Sequence, residues 1–156
     1  MTAHILRTNP GCPCCGVATA GAFFRRLPPF CYTVDVAIYP KTTVDETGAA
    51  LTGEKTYTLH FETLPPTLDG GFWSVTAYGE DDFLIDNPLD RYCINDRSDF
   101  KLNEDGTLDL ILSKEAPADT SNWLPVSDGE FHLFMRIYLP DMAALDTWQP
   151  PVIRAQ

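Results

Sequence analysis

The chain has 156 residues, enough for one compact domain with a real hydrophobic core and too few for two ordinary ones. Its 44% hydrophobic content argues for a folded chain. Twenty-two acidic against 11 basic residues, a formal net charge of −11, argue against binding nucleic acid or an anionic membrane surface. No apolar run approaches the roughly 20 residues that a membrane-spanning helix needs.

In chain order, the first feature is GCPCCG at residues 11–16. Cys12 and Cys15 make one C-x2-C pair, the knuckle of many zinc ribbons. A structural zinc site takes four ligands, usually from two such knuckles. Cys31 and Cys93 stand alone, and His4, His60 and His132 are not paired at ligand spacing. The sequence therefore predicts no metal and no cofactor. Residues 1–11 have no apolar core of a signal peptide, and five cysteines cannot all pair within one chain, so the expected location is cytoplasmic with reduced thiols. Residues 1–30 read as a Cys- and Pro-containing extension, with room for one short helix at 16–26, ahead of a single domain over 31–156.

From there the pattern has period two, the mark of half-buried strands. Residues 31–39 (CYTVDVAIY) set Val34, Val36 and Ile38 on one face. Residues 55–61 alternate Tyr57, Leu59 and Phe61 against Thr58 and His60, and 72–78 alternate Trp73, Val75 and Ala77 against Phe72, Ser74, Thr76 and Tyr78. Residues 107–112 carry Leu108, Leu110 and Leu112. The clearest alternation is in 130–139, with Phe131, Leu133, Met135, Ile137 and Leu139 on one face. Turn residues at 45–48, with Gly53, predict a hairpin between the first two strands, and Asp105-Gly106 predicts another turn. A short helix fits 141–146. Neither acidic turn follows the calcium-loop pattern. These elements predict an all-β fold, an antiparallel β-sandwich of jelly-roll type with at most short helices. The expected core is Leu59, Phe61, Trp73, Val75, Leu108, Leu110, Leu133, Met135 and Ile137.

A series of motifs is more specific than the alternation. YTLHF at 57–61 is followed by LPP at 64–66, GFWSVTAY at 71–78, DNPLDRY at 86–92 and NEDGTLDL at 103–110. NWLPV at 122–126, FHLFMRIYLP at 131–140 and a W-x-P-P at 148–151 complete the order. This series resembles the C-terminal module of a two-domain family catalogued as domains of unknown function 1254 and 1214, and the module is of the 1214 type. The resemblance covers roughly residues 31–156 and implies a jelly-roll-like β-sandwich. The N-terminal partner domain is missing, and residues 1–30 do not match the family. The chain is then either a stand-alone relative or one whose start is truncated, and a site shared between two domains would be incomplete in it.

The candidate chemistry lies on the strand faces turned away from the core. In 130–139 that face carries His132, Phe134, Arg136 and Tyr138, with same-face neighbours about 7 Å apart. Beside it, Ser74, Thr76 and Tyr78, together with Thr58 and His60, would line a concave site for a small organic molecule if these strands are neighbours. His132 or His60 would serve as general acid or base, and Arg136 with Tyr138 would stabilise developing negative charge. Ordinary solvent exposure of this face is the competing reading. Arg91, followed by Tyr92, would grip a carboxylate ligand or clamp a neighbouring aspartate. Trp123, like Trp148, would close an end of the sandwich or stack on a substrate. No nucleophile elbow, P-loop, dinucleotide fingerprint or HExxH motif occurs. Two functions remain open: a cofactor-independent acid/base enzyme (isomerase, cyclase, lyase or hydrolase) acting on a small, largely apolar molecule, and a non-catalytic module that binds a ligand or partner. Homo-oligomerisation is open as well.

The half-present knuckle yields a direct expectation. Elemental analysis of the purified protein should find no stoichiometric zinc. One zinc per chain, lost on replacing Cys12 and Cys15 by Ser, would establish the opposite.

Overall fold

A computed structural model describes residues 35–156. The cysteine motif at 12–15, Cys31, His4, the expected helix at 16–26 and the start of the first expected strand lie outside the described residues. Among those described, the elements are β1 (Ala37–Ile38), β2 (Lys41–Thr42), β3 (Tyr57–Phe61), β4 (Thr67–Gly79), β5 (Cys93–Asn95), β6 (Leu108–Ser113), β7 (Trp123–Pro125), β8 (Phe131–Pro140), α1 (Met142–Leu145) and β9 (Val152–Ala155). No described helix is long and apolar enough to cross a membrane.

Two sheets pack face to face as a β-sandwich. One is ordered β1-β8-β4-β5, with β2 also on β8, and the other is ordered β7-β6-β3-β9. All pairs are antiparallel except β6 with β7. The inward residues of both sheets merge into one core: Trp73, Val75, Leu133, Met135 and Ile137 from the first, Leu59, Phe61, Leu108 and Leu110 from the second. All nine expected core residues are buried. Phe61 and Trp73 meet across the interface with ring centroids 5.8 Å apart.

The hairpin expected between the first two strands is not formed. The turn itself exists: the Asp45 carboxylate accepts from Thr47 N, Thr47 Oγ1 and Ala49 N, and Gly48 takes the positive φ of 87°. These bonds, Thr47 Oγ1 foremost, hold the Asp45 carboxyl below the usual carboxylate range despite its burial. Yet the turn closes only the local bridge Val44↔Ala50. The strands on either side go to different sheets, β2 onto β8 and β3 onto β6. Buried Leu51 and the Thr52↔Glu130 bridge carry the chain across. Gly53 is needed there for close approach: a Cβ would fall 1.7 Å from the Ser127 carbonyl oxygen.

The first expected strand survives only as β1. Its register on β8 (Ile38↔Ile137) continues unchanged into β2 (Lys41↔Phe134), interrupted at Pro40, which has no N–H to give. Besides two-residue β2, three further strands were not predicted. β5, β7 and β9 have only three or four residues each, too short for a period to show. The turn at 103–106 forms, with Gly106 at φ 86°, but a loop rather than a strand leads into it. The short helix forms as α1, capped by Asp141, whose side chain accepts from Ala143 N and Ala144 N. Trp148 packs against the core from one end, its indole donating to Thr63 O at 3.0 Å.

The register of β8 is the quantity to test. Leu133 is fully buried. Leu133→Ala should lower the unfolding free energy in urea by about 2–5 kcal/mol. A loss below about 0.5 kcal/mol would mean the side chain is not in the core.

Candidate functional site

The pairing of β4 with β8 assembles the candidate face residue by residue. Phe72 lies opposite Tyr138, Ser74 opposite Arg136, Thr76 opposite Phe134 and Tyr78 opposite His132. Because the inward set is apolar, these eight side chains all point away from the core. β2 adds Lys41 beside Phe134, and β5 adds Cys93 beside Thr76 and Asn95 beside Ser74. The expected neighbours His132, Phe134, Arg136, Tyr138, Ser74, Thr76 and Tyr78 are therefore brought together.

Their contacts are specific. Arg136 Nη1 donates to Thr76 Oγ1 at 2.9 Å and Nη2 donates to Tyr78 Oη at 2.7 Å. The guanidinium also lies 5.7 Å from the ring centroids of both Tyr78 and Phe134, within cation–π range. At one end of the face Phe72 stacks on Tyr138, centroids 4.5 Å apart and 16° from parallel. At the other end Tyr78 stacks on the His132 ring at 5.6 Å and 11°. The aromatic side chains are half-buried, while Ser74 and Thr76 are buried beneath them.

His132 departs from the expectation of an ordinary exposed histidine: it is 5% exposed. Its Nε2 lies 3.2 Å from Asp82 Oδ1 but out of line for a hydrogen bond, and it has no such partner among the described residues. Lys41 Nζ stands 3.4 Å from the same aspartate oxygen. Desolvation pushes the imidazole pKa below its ordinary value, the Lys41 charge pushes in the same direction, and Asp82 opposes both. Asp82 gets there through a tight turn after β4, closed by Asp82 N to Gly79 O at 3.1 Å, with its own backbone at φ 62°. Lys41 and Asp82 escape sequence reasoning because nothing local to either signals contact with residue 132.

Four candidates fall elsewhere. His60 is on β3, on the outer face of the other sheet, and cannot act with His132 across the core; the expected neighbour relation of β3 with β4 is not made. Its Nδ1 is 2.6 Å from Asp109 Oδ1, directly opposite on β6, and Asn103 Nδ2 holds the other oxygen at 2.9 Å. Arg91 is a clamp on backbone, not on the expected aspartates: its Nη1 donates to the carbonyls of Thr120, Ser121 (3.3 Å) and Trp123 (3.0 Å). Those bonds give Nη1 a structural role in holding the 120–123 segment. Tyr92 donates to Asp90 at 3.2 Å, and that bond pushes its phenol pKa up. Trp123 is part of β7, 2% exposed, with its indole donating to Ser113 O at 3.0 Å, and it lines a concavity apart from the β4–β8 face.

A concavity of about 340 Å³ lies apart from this face, between Ile85–Pro88 and Pro125–Asp128. Its one lysine, Lys114, is paired with Asp128 at 2.7 Å. No donor–acceptor chemistry converges there comparable to that of Arg136, Tyr78 and Thr76, so the sheet face is the stronger candidate.

Comparison with known proteins supplies a family and a fold. The family model described as "Protein of unknown function (DUF1214)" matches residues 36–142. Among solved structures, the VPA0106 protein from Vibrio parahaemolyticus is 31% identical with a TM-score of 0.71, over 81% of this chain and 32% of that one. An uncharacterized protein from Burkholderia cenocepacia is 18% identical with a TM-score of 0.53, over 77% of this chain and 29% of that one, a likeness of fold alone. The chain thus spans about a third of the length of these solved structures. No curated protein matches it.

The buried imidazole makes stability depend on pH. In the unfolded chain His132 titrates near 6.5 and in the folded chain lower, so proton binding favours unfolding. The stabilisation is complete above pH 6.5 and is lost as the pH falls toward the folded value. Urea unfolding at pH 8 and pH 5.5 should therefore show a larger drop for the wild type than for His132→Phe, the comparison cancelling the carboxylates common to both. Equal drops would show that His132 is not held neutral by the fold.

Proposed function

The chain belongs to the DUF1214 family, and from that premise we propose that the outer face of β4 and β8 binds a small, largely apolar organic molecule and acts on it by acid/base chemistry. The observation that carries the reading is the Arg136–Tyr78 contact. Arg136 Nη2 donates to Tyr78 Oη, which leaves the phenolic hydrogen free to donate to a ligand lying on the face. His132, stacked flat on that ring, fixes its plane. We assign the proton step to Tyr78 and a positioning role to His132, because Asp82 covers the imidazole Nε2. Arg136 places a permanent positive charge where negative charge would develop. Half-buried Phe72, Phe134 and Tyr138 supply the apolar walls. We extend the proposal to a jelly-roll connectivity, a cytoplasmic setting and chemistry that uses no cofactor, expectations that come from the sequence.

A second reading, a non-catalytic module that binds a ligand or partner, is favoured by the loop that adjoins the His132 end of the face. Phe83 is 73% exposed and Leu84, bridged to Tyr78, 49%, apolar side chains beside a polar surface of the kind partners cover.

Mass spectrometry of small molecules released from the purified, heat-denatured protein would supply the compound, and turnover of that compound decides between the readings. Tyr78→Phe and Arg136→Met, each checked for folding by circular dichroism, should cut turnover by about a hundredfold or more. His60→Ala should leave it unchanged. Binding of the compound without any turnover by the wild type would sink the enzymatic reading in favour of the second. Full activity in both face variants would sink the placement of the site.

A further inference from the structure

We infer that the ligand of the β4–β8 face is an organic anion, a flat apolar body bearing one carboxylate, and that Arg136 together with Tyr78 receives the carboxylate. This rests on the reading that the face binds a small molecule at all. The starting point is how the other cations of the described residues are used. Lys41 pairs with Asp82, Lys101 with Asp119, Lys114 with Asp128 and Arg154 with Glu46; Lys55 and Arg97 are exposed to water without a carboxylate partner, and half-buried Arg91 is bonded to three backbone carbonyls. In a chain with 22 acidic and 11 basic side chains, such pairing is the expected condition.

Arg136 is different. It is half-buried, and no carboxylate of the described residues comes within 4.0 Å of it. Its hydrogen bonds go to two neutral hydroxyl groups, Thr76 Oγ1 and Tyr78 Oη. A guanidinium partly withdrawn from water and given no counter-charge is electrostatically unfinished, and an anion gains more there than at an exposed cation. The two bonds also hold the planar fork in place, so less freedom is lost when it binds. Of five N–H donors, two are used, which leaves three, and the Tyr78 hydroxyl hydrogen is a fourth.

Lys41 also lies near Phe134, 5.3 Å from its ring centroid, but is paired with Asp82, so the uncompensated charge is single and suits a carboxylate better than a phosphate dianion. The walls set the shape of the remainder. Phe134 and Tyr78 flank the guanidinium, and the Phe72–Tyr138 stack lies further along the face, with Arg97 5.7 Å from the Phe72 ring centroid. Flat rings in a row favour a flat apolar partner.

The test uses the full, ¹⁵N-labelled chain titrated with three probes: 2-naphthoate, the neutral 2-naphthalenemethanol and inorganic phosphate. The amides of β4 and β8 around Thr76, Tyr78, Phe134 and Arg136 should move with 2-naphthoate, which should bind about tenfold more tightly than the alcohol. That advantage should shrink as salt is raised in the wild type. Arg136→Met should weaken 2-naphthoate far more than the alcohol and bring the two to about equal affinity. Arg136→Gln is the substitute if the first variant does not fold. Equal binding of the naphthoate and the alcohol, or no effect of salt and of the Arg136 variants, overturns the anion while the small-molecule reading stands. Phosphate that displaces 2-naphthoate at equal concentration overturns the flat body. Failure of both naphthalene probes to shift any β4 or β8 amide overturns the small-molecule reading, and the inference falls with it.

Discussion

From Phe72↔Tyr138 to Tyr78↔His132, β4 and β8 alternate in step, with every outward residue aromatic, hydroxyl-bearing or basic and the inward Trp73, Val75, Ala77, Leu133, Met135 and Ile137 all apolar. A slip of one residue would exchange the two sets, driving Arg136 and His132 into the core and Leu133 and Met135 into water. The penalty for burying those polar groups unpaired and exposing the apolar ones is large enough to hold the register. The same pairing that closes the sandwich therefore sets Arg136 over Thr76 and Tyr78. Core and candidate site are two faces of one constraint.

Part of the chain's negative charge does local work. Asp45, Asp105 and Asp119 each accept from the backbone N–H and hydroxyl of the residue two ahead, and Asp141 caps α1. Such side chains replace missing backbone partners in turns and at helix ends. The turns thereby absorb part of the acidic excess, while the β4–β8 face keeps a guanidinium without a carboxylate partner. A chain with net charge −11 can thus present a locally basic, aromatic surface.

How much was legible in the residues follows from how far apart the partners lie in the chain. β8 could be read because it is long and alternates over most of its length, and β4 because 72–78 alternates; the 67–71 part of β4, which lies before a shift of register on β8, carries no such signal. Tyr57–Phe61 and the leucines of β6 were visible for the same reason, and Asp-Gly at 105–106 announced its own turn. The turn at 45–48 was equally visible, but its presence does not say which strands it joins. Here β2 and β3 part to different sheets because their partners, β8 and β6, are distant in sequence. Short β5, β7 and β9 carry no periodic signal, and β7 pairs in parallel, which no hairpin rule anticipates.

The order of side chains alone was enough for the sandwich class, nine core residues and the outward face of 72–78 and 132–138, because burial of an alternating strand follows that order; it failed at Leu139, where a positive φ breaks the alternation and leaves the side chain exposed. Which faces would meet was decided by the tertiary structure. It put His60 beside Asp109 on one side of the molecule and His132 beside Tyr78 on the other. It turned Arg91 onto backbone carbonyls, set Trp123 into β7, and delivered Lys41 and Asp82 to His132 from separate parts of the chain. Hydrogen bonds and ion pairs act over a few ångströms, and a sequence records distance along the chain, not across it.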